Sequence, residues 1–248
     1  MRLAILISGS GTTAKSIIEA CQEGRLKNVE PAIVISSKND APGIEKAKSL
    51  GIETRVVSPK DYSNSIAFGE KLLEIFREFK VDFISQNGWL PLTPVNVVKE
   101  YQGRIINQHP GPLDPGRKLD FGGKGMYGKR VTCARIVYAF LTKEKNPWTE
   151  ATVHFVNEEY DKGDLLRIEK MNFPPLFGKF DENLILVKTL ELQEKLLPLE
   201  HENVINALKK IVEGKAKGFR RKRPLIPKKN EKILLKAKEI AIKLFPYG

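Results

Sequence analysis

The stretch Ala4–Ala20, AILISGSGTTAKSIIEA, decides the fold. An apolar run over Leu3–Ser8 breaks at Gly9-Ser10-Gly11, and apolar residues then return at helical spacing in Ala14, Ile17, Ile18 and Cys21. A short uninterrupted run bounded by glycine reads as a buried strand, and the 3.6-residue period after it predicts a helix over Thr13–Glu23. Strand, glycine turn and helix in that order open a parallel βαβ unit. The turn Gly9-Ser10-Gly11-Thr12-Thr13 has two readings. Its N–H groups and hydroxyls suit a phosphate at a helix N-terminus, or its glycines serve only the dihedrals of a tight turn. The spacing is not Gly-x-Gly-x-x-Gly and no acidic residue ends the second strand, so a nicotinamide dinucleotide is disfavoured.

Working outward, the same alternation continues. Pro31–Ser36, Thr54–Val57, Val81–Ser85 and Arg104–Asn107 read as strands, with helices over Gly43–Leu50, Ser65–Phe79 and Thr93–Tyr101 between them. Val131–Phe140 fits helix or strand. Thr152–Val156 is a strand, and Asp164–Asn172 a further one running antiparallel at the sheet edge. Leu199–Val212 is a helix stopped by Gly214, and a basic linker leads to a last amphipathic helix over Asn230–Phe245. The expected class is α/β, a mostly parallel sheet flanked by helices, with an antiparallel edge and a C-terminal helical extension. Residues 1–214 form the expected catalytic domain and 215–248 the basic linker and helix. Ligands of such sheets bind outside the carboxyl ends of the strands.

Asn107 and His109 fall at such an end. Two apart on an extended segment, they share a face, and Pro110 keeps His109 out of helical geometry. An amide can hold a developing oxyanion, and an imidazole can give or take a proton near neutrality. Further on, Thr152-Val153-His154-Phe155-Val156 precedes Asp161-Lys162-Gly163, whose carboxylate can orient and favour an imidazolium. His154, inside its strand, reads as a satisfied structural histidine.

Three blocks, Ala4–Ala20, Ile35–Ala47 (ISSKNDAPGIEKA) and this pair of segments, resemble the formyltransferase family that uses formyltetrahydrofolate. The resemblance covers roughly residues 1–110 and 150–214, and it is strongest to the branch that formylates glycinamide ribonucleotide in purine synthesis. It implies a Rossmann-like formyltransferase fold and direct attack of an amine on the formyl carbon, with formyltetrahydrofolate as co-substrate and no metal. Asn107 and a protonated His109 would hold the oxyanion, and Asp161 would hold the imidazolium. The loop Gly9, Ser10, Gly11, Thr12 and Thr13 would take the acceptor's phosphate. Glu200, of a Glu-His pair, would meet the ribose hydroxyls, against the plainer reading of a surface helix residue. Gly88, Trp89, Leu90, Leu92 and Val156 would line the pteridine cleft. Pro91 stands where that branch often carries Arg. After His109 the family runs Ser-Leu-Leu-Pro; here Gly111-Pro112-Leu113-Asp114-Pro115 and a Gly/Lys/Arg-rich insertion intervene. Its glycines and cations over Arg117–Arg130 predict a mobile basic flap above an anionic acceptor, against a static surface excursion.

Composition narrows the alternatives. At 248 residues, 41% apolar and 29% charged, the chain is globular. It has no run of ~18 apolar residues, so no membrane span is expected. Its two cysteines imply no disulfide framework and suit a reducing cytoplasm. Neither has metal-ligand spacing, and the three histidines are far apart in sequence, so no structural zinc is expected. The net charge of +12 is densest at Arg220-Arg221-Lys222-Arg223. That charge would suit nucleic acid or simply a solvated surface, and nucleic-acid binding is the rival reading from outside enzymology. Other family members remain rivals within it: those acting on methionyl-tRNA or an amino-sugar nucleotide, or a deformylase. The length after Gly214 is short for the barrel domain of the tRNA branch, and the chain begins directly at the first strand, unlike the deformylases. Monomer and dimer stay open.

Overall fold

The structure, a computed structural model describing residues 1–248, is built on one sheet of seven strands in the order β3-β2-β1-β4-β5-β6-β7. The strands are β1 (Arg2–Ile7), β2 (Glu30–Ser36), β3 (Thr54–Val56), β4 (Phe83–Asn87), β5 (Ile105–His109), β6 (Trp148–Phe155) and β7 (Leu165–Asn172). β1 to β5 are mutually parallel, and β6 and β7 each run antiparallel to the strand before them. The helices are α1 (Thr12–Gln22), α2 (Gly43–Ser49), α3 (Ser65–Glu78), α4 (Val95–Glu100), α5 (Lys129–Leu141), α6 (Glu182–Val212) and α7 (Glu231–Leu244). The order of strands reverses at β1, between β2 and β4, and a crevice opens there at the carboxyl ends.

β1 shows why the opening stretch is so decisive. Leu3, Ile5 and Ile7 pack with Ile17 and Ile18 of α1 and with Val204 and Leu208 of α6, whereas Ala4 and Leu6 pack on the opposite face with Phe68, Leu72 and Phe76 of α3. A strand needs apolar residues at every position only when both faces are covered. Gly11 has φ 64, and a Cβ there would sit 2.5 Å from Gly43 Cα, so the turn into α1 is closed by glycine meeting glycine.

A third core lies beside the sheet, and the sequence hides it. α5 is buried around nearly its whole circumference, against α6 on one side and α7 on the other. Val131, Ile136 and Val137 share this core with Leu234, Ala237 and Ala241 of α7 and with Phe121 and Met126 of the preceding loop. A helix without a polar face carries no 3.6-residue signal, which is why Val131–Phe140 reads equally as strand.

α6 corrects the expectation of a helix starting at Leu199. It begins at Glu182, capped by Asp181 accepting from the N–H groups of Asn183 and Leu184, and runs through Pro198. Proline is favoured in a first turn and breaks interiors, so the pattern points to a start just after it. Here tertiary packing carries the helix across it, with Thr189, Leu192 and Leu196 buried before Pro198 and Val204, Ile205 and Leu208 after. No helix is long and apolar enough to cross a membrane.

Candidate active site

β5 delivers Asn107 and His109 from its carboxyl end, and the antiparallel register of β6 sets His154 directly opposite Asn107. His154 Nδ1 meets Phe155 O at 2.7 Å, leaving Nε2 to face the Asn107 amide at 3.1 Å. After β6 the chain turns, and Asp161 adopts φ 57, a left-handed conformation that an aspartate tolerates and a β-branched residue would not. That turn brings its carboxylate back over both imidazoles. Oδ2 lies 3.9 Å from His109 Nε2, and Oδ1 lies 3.5 Å from His154 Nε2. The structure therefore brings Asn107, His109 and Asp161 together. It also adds His154, which the sequence presents as a structural strand residue. Its signal was the spacing: a strand partner of Asn107 must share its face.

Opposing influences act on the His109 imidazole. His109 is buried, and burial pushes its pKa below the usual histidine value, with the Asp161 charge opposing. Its Nδ1–H donates to Gly111 O at 3.1 Å, and Nε2 has no hydrogen-bond partner. Burial thus favours the neutral imidazole and Asp161 the imidazolium, and the unpartnered Nε2 faces the site, where a proton can be held or received. For Asp161, burial works to raise the carboxyl, but His109, His154 and the Gly123 N–H outweigh it and hold it below the usual carboxylate range. A lasting carboxylate beside an imidazole favours the protonated form of that imidazole.

Asn107, His109 and Asp161 line a cleft of about 280 Å³ at the switch in strand order, and His154 lines an adjoining pocket. Gly9, Ser10, Gly11, Thr12 and Thr13 line one end. α1 has no side-chain cap and no acidic residue in its first turn, so its leading N–H groups stay free to donate. Glu200 lines the same cleft and is only 4% exposed, which removes the surface reading. Its carboxylate accepts from Gln193 Nε2 at 3.2 Å, and burial pushes its pKa up to about 7. Gln193 and Leu197, from the part of α6 ahead of Pro198, line the cleft too.

Gly88, Trp89 and Leu90 line the cleft as well, with the Leu90 N–H donating to Ser8 Oγ at 2.9 Å. Trp89 stacks on Phe68 with ring centroids 6.2 Å apart, so it is half core and half wall. Leu92 and Val156 do not reach this cleft. They line an adjoining pocket with Pro91, joined to the first through Trp89, Asn107, Tyr160 and Asp161. Tyr160, shared by both pockets, was not legible as a site residue because the loop around it carries no periodicity.

The insertion departs from the expected mobile basic flap. Leu113, Asp114, Asp120 and Phe121 are buried. Asp120 accepts from the N–H groups of Asp114 and Gly122, each at 2.9 Å, so it ties the loop across its own neck. The segment does cover the cleft, through Gly123, Gly125, Met126, Tyr127 and Gly128, but none of its cations lines it. Arg130 instead donates to the carbonyls of Gly125, Phe245 and Pro246. The basic cluster of the tail is likewise partly engaged, with Arg220 paired to Asp164 and Arg221 to the fully buried Glu150.

Comparison with known proteins agrees with this geometry. Residues 1–115 match the family model described as formyl transferase. The chain is 35% identical over 167 residues to a chloroplastic phosphoribosylglycinamide formyltransferase of Arabidopsis thaliana, covering 66% of this chain and 53% of that protein. It is 28% identical over 198 residues to the phosphoribosylglycinamide formyltransferase of Haemophilus influenzae, covering 80% and 84%. The chain spans about half the length of the plant relatives, 53% and 49% for the proteins of Arabidopsis thaliana and Vigna unguiculata. Among solved structures, glycinamide ribonucleotide transformylase 1 from Symbiobacterium toebii superposes with a TM-score of 0.70 at 28% identity, over 86% of this chain and 88% of that one. The matched region contains the glycine turn and the strand that carries Asn107 and His109, and the likeness of fold to glycinamide ribonucleotide transformylase 1 extends through the remainder of the site.

Proposed function

We propose that the protein transfers the formyl group of formyltetrahydrofolate to the primary amine of glycinamide ribonucleotide, a step of purine synthesis. One observation carries the reading: the amide, the imidazole and the carboxylate converge in a single cleft that a donor-rich helix terminus and the apolar Trp89 and Leu90 also line. The names of the relatives supply the acceptor. The phosphate would sit against the free N–H groups and hydroxyls of Gly9–Thr13, with Glu200 accepting from ribose hydroxyls. The pteridine would lie along Gly88–Leu90 and reach toward Leu92 and Val156.

The chemistry follows from the protonation states. The amine nitrogen attacks the formyl carbon, and its proton passes to the free Nε2 of His109. Asn107 donates an N–H to the oxyanion, and the new imidazolium, stabilised by Asp161, faces the same charge. His154 keeps the Asn107 amide turned correctly. When the carbonyl re-forms, the bond to the folate nitrogen breaks and His109 returns the proton to that nitrogen. The products are the formamide and tetrahydrofolate.

Two paired cations in the tail argue against a nucleic-acid role for that cluster, and the cleft's own donors favour a small phosphorylated acceptor over a tRNA end. Purified protein with formyltetrahydrofolate and separate amines, glycinamide ribonucleotide, methionyl-tRNA and an amino-sugar nucleotide, tests the reading by loss of the formyl group. Turnover with glycinamide ribonucleotide is expected. Turnover only with another amine overturns the acceptor, and turnover with none overturns the reaction class.

A further inference from the structure

α7, at the far end of the chain, reaches the catalytic carboxylate through a single peptide group. Lys238, partly buried on α7, donates from Nζ to the carbonyl of Gly122 at 2.6 Å. The amide of that same peptide unit is the N–H of Gly123, which donates to Asp161 Oδ2 at 2.7 Å. A cation on the oxygen side of a peptide draws electron density from the nitrogen side and strengthens that N–H as a donor. We propose that Lys238 is a positioning residue for the formyl transfer assigned above: through the Gly122–Gly123 peptide it aims and holds Asp161 against His109, so the C-terminal extension completes the active site.

The surroundings fit this role. Lys238 faces Asp120, Lys162 and Asp161, and burial together with Lys162 pushes its pKa down while the two carboxylates oppose. Lys162 itself binds Asp120 at 3.3 Å, so Lys238 is left to the carbonyl. Two more contacts fix the same loop from the tail: Arg221 donates to Leu113 O at 2.7 Å, and the Leu225 N–H donates to Asp114 at 2.8 Å. Asp161 has no other backbone donor. Losing the cation therefore weakens the one bond that sets which way its Oδ2 points.

The test uses the full chain and the reaction above. Lys238→Met should lower kcat about tenfold and leave both KM values within about twofold, because Asp161 acts on the imidazolium of the transition state and not on bound substrate. Lys238→Arg, which keeps the cation, should recover most of kcat. Lys238→Gln, a neutral donor, should lie between the two. A Met variant with wild-type kcat, a loss confined to KM, or an Arg variant as slow as Met each overturns the inference. Should the Met variant fail to fold, the ranking of Arg above Gln decides. Wild-type protein without turnover would instead sink the functional reading, so the two failures are distinct.

Discussion

Gly122→Ala should cost activity far more than stability. Gly122 does not have a positive φ, so alanine adds no backbone strain there. Its Cβ, however, would stand 2.8 Å from Asp161 Cβ, 2.9 Å from Asp161 Oδ2 and 2.5 Å from Leu113 Cδ2. Non-bonded carbons settle at about 3.5–4.0 Å, so Asp161 must retreat by roughly 1 Å or the loop must lift by as much. Either movement opens the 3.9 Å gap between Asp161 and His109 and breaks the Gly123 bond. A displacement of that size in a catalytic constellation costs on the order of a hundredfold in rate. Overpacking by a single methyl costs about 1–3 kcal/mol, which leaves a domain of ordinary stability folded. Steady-state kinetics on the formyl transfer, with a thermal unfolding curve on the same preparations, separates the two effects. Gly116→Ala is the control: its Cβ would meet Arg220 Cδ at 3.6 Å and Asp114 Oδ1 at 4.0 Å, both ordinary contacts, and kcat should not change. A folded Gly122→Ala protein with wild-type kcat would refute the claim that the insertion positions Asp161.

His109→Ala should lower kcat by about a hundredfold or more while the unfolding midpoint moves little; near-normal turnover would remove His109 from the chemistry. Arg221→Met strips the partner from Glu150, a fully buried carboxylate, and should destabilise the protein by about 3–5 kcal/mol in urea unfolding. Adding Glu150→Gln to that variant should return much of the loss, and a double variant no more stable than the single one contradicts the pairing. Glu200 predicts a pH dependence whose sign follows from its raised pKa, from 4.5 to about 7 on folding. The native state then holds a proton that the unfolded chain has released, so stability present below the unfolded value is lost as pH rises through about 7. Relative to Glu200→Gln, the wild type should lose on the order of 3 kcal/mol between pH 4.5 and pH 8; parallel stability curves for the two proteins would count against the assignment.

The parallel half of the molecule was legible because one physical rule dominates it. β1 and β2 carry continuous apolar runs, Leu3–Ile7 and Ala32–Ile35, with a glycine or proline close to one end of each. Legibility failed where polar residues are buried or apolar ones surround a helix. β6 starts at Trp148, ahead of the expected Thr152, because Thr149 and Glu150 are buried polar residues that mask the pattern. Glu150 is tolerated there through Arg221, some seventy positions away, a pairing that no local window contains. The site divides in the same way. Asn107 and His109 could be read from one strand, whereas the part played by His154 required the β5–β6 register.

The distribution of charge shows why the net balance of the chain says so little about its substrate. No Lys or Arg lines the main cleft, although 42 of the residues are Lys or Arg. Three cations serve the scaffold around the site: Arg130 gathers the last carbonyls of the chain, Lys162 pairs with Asp120, and Arg221 pairs with Glu150. An anionic acceptor in this cleft would therefore meet backbone N–H groups and hydroxyls with fixed directions, not mobile ammonium groups. Donors fixed by the fold lose little freedom on binding and discriminate by geometry, so the shape of a phosphate, and not its charge alone, would decide what enters. The basic tail acts on the same chemistry from the other side, by holding the loop that holds Asp161. On the proposed reading that contribution is mechanical and local, so a charge count over the chain does not decide between nucleic acid and a small phosphorylated amine.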